Sequence, residues 1–496
     1  MPSLTEYMNL IDGKLQAPTA GNYLDTLNPA TGQLWARVPA SGQDDVNAAV
    51  AAAKAAQPAW AALPSGVRGN YLERAAELFR THGAELGELE TADNGNLLSI
   101  TKIVAEVVLP STWTRAANDA LAGATGQSAV LDHTTIGYTR REPYGVVAAI
   151  IPFNMPVAMF AAKAAVALAG GNTVVAKAPE QASVGMLRLG ELLAEVFPPG
   201  VVNVLSGGGD VGDALVRHRD VDKVTMTGSA ATARLIQSAT AESLTPAVFE
   251  LGGKSPNIVF ADADLDAAAV GLTIPSVFNF NAGQACVAGT RILVQRPIFD
   301  DIVDRIKDIV ATIVIGDPAE ATTTMGPLIS QAQLDRVARY IEIGKKEGDL
   351  LFGGRTGSDV VPQLPGGYWA EPTLFLTTDN STQICQDEIF GPVASIIPFD
   401  TEEEAVAIAN DSRYGLASGV WTQDVSRAHR MIRDIRSGNV WVNTYMQIRY
   451  ELPFGGFKDS GYGHDTVLDF TREKTAVLSL GSQLRTDQNP IPIPTE

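Results

Sequence analysis

"VVAAIIPFNMPVAMFAAKAAVALAGGNTVVAK", residues 146–177, decides the fold. The opening run "VVAAII" is short, apolar and rich in β-branched residues, and reads as a buried strand. A helix follows from Pro156 to Ala169, and "NTVVAK" is the next strand. The same rhythm continues to residue 251: a helix over about 182–196, strand "VVNVL", a helix near 211–218, strand "KVTMT", a helix near 229–240, and strand "AVFEL". Short strands alternating with helices mean β-α-β units on a parallel sheet. This part of the chain is expected to be a doubly wound nucleotide-binding domain.

A second alternation starts at "NIVFAD", residue 257. It runs through strand 291–295, helix 299–313, strand 394–399, helix 402–410, strand 418–422, helix 424–435 and strand 439–443. Towards the N-terminus, 44–63 and 65–90 carry helical patterns, the second with Ser65 as N-cap. The segments 126–142 and 475–485 have strand content but fit neither unit. The Pro-rich end "NPIPIPTE" reads as a loose terminus.

Composition bounds the function. A chain of 496 residues holds about two to four domains, and its 45% hydrophobic content is that of a globular protein. The net charge of −19 argues against nucleic acid or an anionic membrane surface as partner. Two cysteines, Cys286 and Cys385, make no disulfide framework and point to a reducing compartment, the cytoplasm. The start "MPSLTEYMNLIDGK" lacks the pattern of a signal peptide. The most apolar stretch, 144–170, is interrupted by Pro152, Asn154, Pro156 and Lys163, and is not a membrane span. The five histidines are scattered, so no metal is expected.

Chemistry is carried by a few short stretches. In "NFNAGQACVAGT" (279–290), Cys286 stands among small, uncharged residues with no second thiol or histidine nearby. A structural cysteine favours a continuous apolar run and a metal ligand has companions, whereas a nucleophile needs room and backbone N–H groups. "GGGDVG" (207–212) matches G-x-G-x-x-G after a strand, a weak signal by itself. "TMTGSA" (225–230) is a competing phosphate approach, with Gly228 and Ser229 opening a helix. Glu250, in "FELGGKSPNIVF", is an acid before a Gly-Gly turn: a base in a cleft or a surface carboxylate. Asn154, between prolines, is a directed amide or a plain turn former.

Together these stretches resemble the aldehyde dehydrogenase family over nearly the whole chain. "PFNMP" is similar to its P-W-N-[FY]-P turn, "VVAKAPE" to V-x-K-P-[AS]-E, and "TMTGS" to F-T-G-S. "FELGGKSP" and "NFNAGQACVAGTR" are similar to its glutamate and cysteine signatures, "DEIFGPV" to its E-I-F-G-P-V box, and "LPFGGFKDSGYG" to P-F-G-G-x-K-x-S-G-x-G. The resemblance implies Cys286 as nucleophile, Asn154 with the Cys286 N–H as oxyanion donors, Glu250 as general base, and Lys163 near the pocket. It implies Lys177 and Glu180 at the adenosine ribose and Gly228 and Ser229 at the pyrophosphate. Glu388 and Phe390, with Pro152 and Phe153 of the turn, would meet the nicotinamide end. The cofactor implied is NAD, with NADP as the alternative; a carboxylate at Glu180 disfavours a 2′-phosphate.

The implied fold is α/β: a Rossmann-like cofactor domain (1–125 and 146–252), an α/β catalytic domain (253–452), and a small β bridging domain (126–145 and 475–490). That last domain implies a homodimer or homotetramer. The implied reaction is oxidation of a small-molecule aldehyde to an acid through a thiohemiacetal and a thioester hydrolysed by glutamate-activated water. A partly ionised thiol, helped by oriented amides, is expected. One alternative is a CoA-acylating enzyme, against which Glu250 argues; another is a non-catalytic descendant, against which the intact Cys286, Glu250, Asn154 and Lys177 argue. Several positions depart from the pattern: the order Lys177-Ala178-Pro179-Glu180, Ala233, Asn279 for an aromatic, and a short segment with His464 after "GYG". Met155, Met159 and Phe280 suit an uncharged aldehyde. Arg449, flanked by Tyr445 and Tyr450, would instead suit a carboxylated semialdehyde if it lines the tunnel mouth.

Overall fold

The computed structural model describes residues 4–122, 125–449 and 451–480. Strand Val146–Ile150 lies at the middle of an eight-stranded sheet. On one side it pairs in parallel with Thr173–Ala178, which pairs with Val202–Ser206; on the other it pairs with Lys223–Gly228, which pairs with Ala247–Leu251. Numbered along the chain, these five strands stand in the order 3-2-1-4-5, that of a Rossmann-like half, with its crevice between strands 1 and 4. Asn9–Ile11 and Lys14–Gln16 extend one edge, and Gly461–Tyr462 adds an antiparallel strand beside Ala247–Leu251.

Alternation along each strand explains why both faces are covered. Val147, Ala149, Val174 and Ala176 enter one core with the helices Ser65–Asn94, Leu109–Ala122, Pro156–Ala169 and Val184–Ala194. Val146, Ala148, Val175 and Val224 enter the other with Gln43–Ala62, Gly209–Val216 and Ala230–Ser243. A parallel strand buried on both sides needs a continuous apolar run, and "VVAAI" supplies it. The helix Pro156–Ala169 has the bounds read from sequence, with proline at its first turn and Gly170 at its end.

The second sheet has seven strands in the order Asp349–Phe352, Thr373–Leu376, Val393–Phe399, Arg291–Gln295, Pro256–Val259, Ala417–Trp421, Asn439–Val442. All pairs are parallel except the first. Ile258, Leu293 and Ile397 face one core and Val259, Ile292 and Ile396 the other. A third, antiparallel sheet joins Ser128–Asp132, Thr135–Pro143 and Thr471–Ser479, with Pro143 opposite Thr471 and Thr135 opposite Ser479. Residues 481–490 of the expected bridging segment, and the Pro-rich end, lie outside the described residues.

Three local expectations need correction. Ser65 is the first helical residue; Pro64 is the N-cap and accepts no side-chain bond there. Helix Gln331–Glu347, absent from the sequence reading, packs Leu334, Val337, Tyr340 and Ile341 on the second sheet. The chain 98–122 is helical too, in three consecutive pieces with a wide turn at Val104–Val108. Among the described residues no helix is long and apolar enough to cross a membrane, and no cluster of His, Cys, Asp and Glu could hold a metal.

Candidate active site

Cys286 sits in the turn between the helical segment Phe280–Gly283 and strand Arg291–Gln295. Asn281, Ala282 and Gly283 all take the left-handed conformation, with φ of 48°, 48° and 74°. Glycine is needed at 283, where a Cβ would stand 2.3 Å from the Gly391 carbonyl oxygen. Tyr445 Oη donates to the Val287 carbonyl at 2.7 Å and fixes the far side of the turn. Cys286 stays partly exposed, whereas Cys385 is fully buried.

The Gly-Gly turn after Glu250 is a close-approach device. A Cβ on Gly253 would lie 2.5 Å from the Cys286 carbonyl oxygen, and one on Gly252 would lie 2.1 Å from Glu388 Oε2. Only glycines let the end of the first sheet reach both the cysteine turn and Glu388. Gly253 N–H donates to Glu388 Oε1 at 3.1 Å. Burial raises Glu388 to about 7 despite that bond.

Glu250, next to last in strand Ala247–Leu251, is buried, and neither carboxylate oxygen has a hydrogen-bond partner among the described residues. Burial raises its pKa well above the ordinary value; nearby Asp465 adds to the rise and Lys163 opposes it. Lys163 is 1% exposed and donates to Asp465 Oδ2 at 2.7 Å and Thr225 Oγ1 at 2.9 Å. Asp465, next to His464 in the short segment, is thus part of the site although sequence reading passed over it.

Asn154 Nδ2 donates to the Gln284 carbonyl at 2.9 Å, two residues before Cys286. That bond uses one amide hydrogen and leaves the other for a ligand oxygen. The expectation of a partly ionised thiol needs correction. Burial, then the charges of Glu388 and Glu250, push the Cys286 thiol up to about 12, and the N–H groups of Cys286 and Val287 offset this only in part. Two carboxylates facing one sulfur favour its neutral form.

At the opposite end of the crevice, Lys177 is buried at the end of its strand, and burial lowers its pKa against the pull of Glu180 and Asp210. Glu180 is exposed. A Cβ on Gly208 would lie 2.9 Å from Asp210 Oδ1 and 3.5 Å from Glu180 Oε2, so the G-x-G-x-x-G turn and Glu180 share one place. Gly228 ends its strand, and Ser229 caps the helix Ala230–Ser243 by accepting from Thr232 N–H at 3.1 Å. Phe153 and Phe390 meet edge to face, centroids 5.7 Å apart, with Phe390 at φ 62° and half-buried Pro152 beside Phe153.

Val287, Leu416 and Ala417 form a small buried cluster, and Cys286, Trp441, Met446 and Phe454 each pack against it. Met155 and Met159 are half-buried and pack on the core of the first sheet, and Phe280 is half-buried at the head of the cysteine turn. Asn279 is buried and donates to the Thr324 carbonyl at 3.1 Å. Arg449 is exposed, with no side-chain hydrogen bond or ion pair among the described residues; Tyr450 lies outside them.

The family model of the aldehyde dehydrogenase family matches residues 16–478. Betaine aldehyde dehydrogenase of Sinorhizobium fredii (strain NBRC 101917 / NGR234) is 40% identical over 484 residues, covering 95% of this chain and 97% of that protein. The crystal structure of gamma-glutamyl-gamma-aminobutyraldehyde dehydrogenase from Burkholderia cenocepacia J2315 is 41% identical, with a TM-score of 0.92 over 97% of this chain and 98% of that one. An aldehyde dehydrogenase from Bacillus cereus, solved as an NAD+ complex, is 36% identical with a TM-score of 0.92, covering 96% of this chain and 97% of that one.

Proposed function

The chain belongs to the aldehyde dehydrogenase family, and from that premise we propose that Cys286, Asn154 and Glu250 carry out its reaction. The protein is an NAD-dependent oxidoreductase that converts aldehydes to carboxylic acids. The observation that carries the assignment is the meeting of three elements at one sulfur: the Asn154 amide, the Cys286 turn, and the unpartnered carboxylate of Glu250.

The residues of the crevice fit the dinucleotide. Glu180 and Asp210 flank the point that Gly208 keeps open, Lys177 is the penultimate residue of the strand that leads to Glu180, and the Ser229 helix starts after strand Lys223–Gly228 on the other side of the central strand. Held there, NAD would supply the acceptor for the hydride of the aldehyde carbon. Glu180 and Lys177 would hold the adenosine ribose, Gly228 and Ser229 the pyrophosphate, and Glu388 and Phe390, with Pro152 and Phe153, the nicotinamide end.

The chain's own residues then divide the work. The thiol, pushed up to about 12, gives its proton to solvent water as it reacts, since Cys286 stays partly exposed, and Glu250 keeps both oxygens free for the later hydrolysis. Sulfur attacks the aldehyde carbon. The oxygen of the thiohemiacetal receives the free Asn154 amide hydrogen and the Cys286 N–H. After oxidation to the thioester, Glu250 deprotonates the water that releases the acid. Its raised pKa makes it a stronger proton acceptor than an ordinary carboxylate. Lys163 and Asp465 tune that value from behind.

For the substrate, the apolar cluster of Val287, Leu416 and Ala417, on which Cys286, Trp441, Met446 and Phe454 all pack, favours a medium-sized uncharged aldehyde. Exposed Arg449 gives a carboxylated substrate no fixed partner, and the relatives' betaine aldehyde would rely on the aromatic faces of Trp441 and Phe454. The exposed Val130, Leu131, Val477 and Leu478 of the third sheet support assembly as a homo-oligomer, and two free thiols are in keeping with a cytoplasmic setting.

The test is NADH formation across a panel of uncharged, carboxylated and quaternary-ammonium aldehydes. Wild type should prefer the uncharged set, and Cys286→Ala should lose at least about a thousandfold in turnover while still binding NAD. Turnover above a few per cent in the variant would refute the nucleophile.

A further inference from the structure

The turn that carries Asn154 is gripped from both domains by amides with no part in the chemistry above. Asn94 is the last residue of helix Ser65–Asn94 and is 1% exposed. Its Nδ2 donates to the Asn154 carbonyl at 3.2 Å, and its Oδ1 accepts the Asn96 N–H at 2.9 Å. From the opposite side Asn281 Nδ2 donates to the same carbonyl at 2.9 Å and to the Gln284 carbonyl at 3.3 Å. Gln284 closes the loop: its Nε2 donates to the Asn281 carbonyl at 3.1 Å, and its Oε1 accepts the Ile329 N–H at 3.1 Å.

Both lone pairs of one carbonyl are therefore taken, one by the helix below the first sheet and one by the cysteine turn. With the bond from Asn154 Nδ2 to Gln284, these contacts fix both the peptide plane of Asn154 and the rotation of its amide. The cysteine turn adopts left-handed backbone at Asn281 and Ala282, which residues with a Cβ avoid, and Asn281 is in position to grip only in that conformation.

We propose that Asn94 and Asn281 are positioning residues that aim the Asn154 amide at the substrate oxygen, one from each domain. Alignment of the oxyanion donor then depends on the two domains being in register. The proposal rests on the reading of Asn154 as oxyanion donor. Loss of either grip lets the turn rotate while the amide, the thiol and the nucleotide crevice all remain.

The experiment is a pair of double-mutant cycles. Asn94→Ser keeps a small polar side chain, and Asn281→Gly suits the left-handed backbone, so a folded protein is expected from at least one. Each should lower kcat about tenfold, the effect of one lost hydrogen bond, with KM for the aldehyde and Kd for NAD changed less than about twofold. In an Asn154→Ala background, which alone should lower kcat about a hundredfold, the same substitutions should cost nothing further. A loss of equal size in that background would mean a merely structural role and overturn the proposal, as would unchanged kcat in the wild-type background. Wild-type kcat in Asn154→Ala itself would refute the oxyanion reading, and the proposal with it.

Discussion

Two strands carry buried charges near the site, and they are built in opposite ways. Arg291 opens strand Arg291–Gln295 at 1% exposure and donates from all three nitrogens: to the carbonyls of Lys254, Ile408 and Ala409 and to Asn380 Oδ1, at 2.8–3.0 Å. Glu250, near the end of strand Ala247–Leu251, is buried and has no partner for either oxygen. A buried charge whose hydrogen bonds are satisfied ties the fold together. One left unsatisfied is held at a cost that a fold bears where chemistry needs it. The difference separates structure from function within one molecule.

The comparison is most exposed at its structural end. Arg291→Met should destabilise the protein by roughly 3–5 kcal/mol, because three carbonyls lose their buried donor. Urea unfolding measures it; a loss under about 1 kcal/mol would show that the partners add little and would break the contrast.

Glu90 is an intermediate case and sharpens it. This buried acid has Asn94 Nδ2 at 3.5 Å and the Val157 N–H as partners, yet burial and the charge of Asp93 raise it to about 8. A carboxyl raised on folding stabilises in its neutral form. That contribution is complete below its ordinary value near 4.5 and is lost as pH rises through about 8. Glu90→Gln should therefore raise Tm relative to wild type more at pH 9 than at pH 5. An equal difference at both values would mean that Glu90 is ionised throughout.

The smallest effect belongs to an exposed acid. Glu180, with Asp210 close to the same point, should repel a 2′-phosphate, giving NAD a kcat/KM advantage over NADP of at least about tenfold, roughly 1.4 kcal/mol. Equal use of both cofactors would show that a carboxylate in solvent selects nothing here.

Much of this was legible because local pattern and tertiary role agree. The helix Pro156–Ala169 and the strands around it follow from apolar runs and their breaks, and Gly252-Gly253 reads as a turn, which the structure makes a close approach. Illegible were contacts made by distant segments. Trp441, Met446 and Phe454 join the apolar cluster on which Cys286 packs from more than a hundred residues away, and Asp465 meets Lys163 from a segment marked only as short. The thiol's environment was misjudged for the same reason: the stretch around Cys286 is uncharged, and the two carboxylates that raise it arrive from other strands and loops. The helix Gln331–Glu347 did carry a readable signal, an apolar face at Leu334, Val337 and Ile341 behind a Ser330 cap.

The most direct test of the central contrast is a rapid-mixing experiment on Glu250→Gln. Replacing an unpartnered carboxylate by its neutral isostere should leave stability intact or raised, and remove only the base. The account predicts a burst of about one NADH per active site, then steady turnover slowed by about a hundredfold, with an acyl group on Cys286 in the mass spectrum. Wild-type steady turnover without a burst, or a loss of folding in place of a loss of hydrolysis, would contradict it.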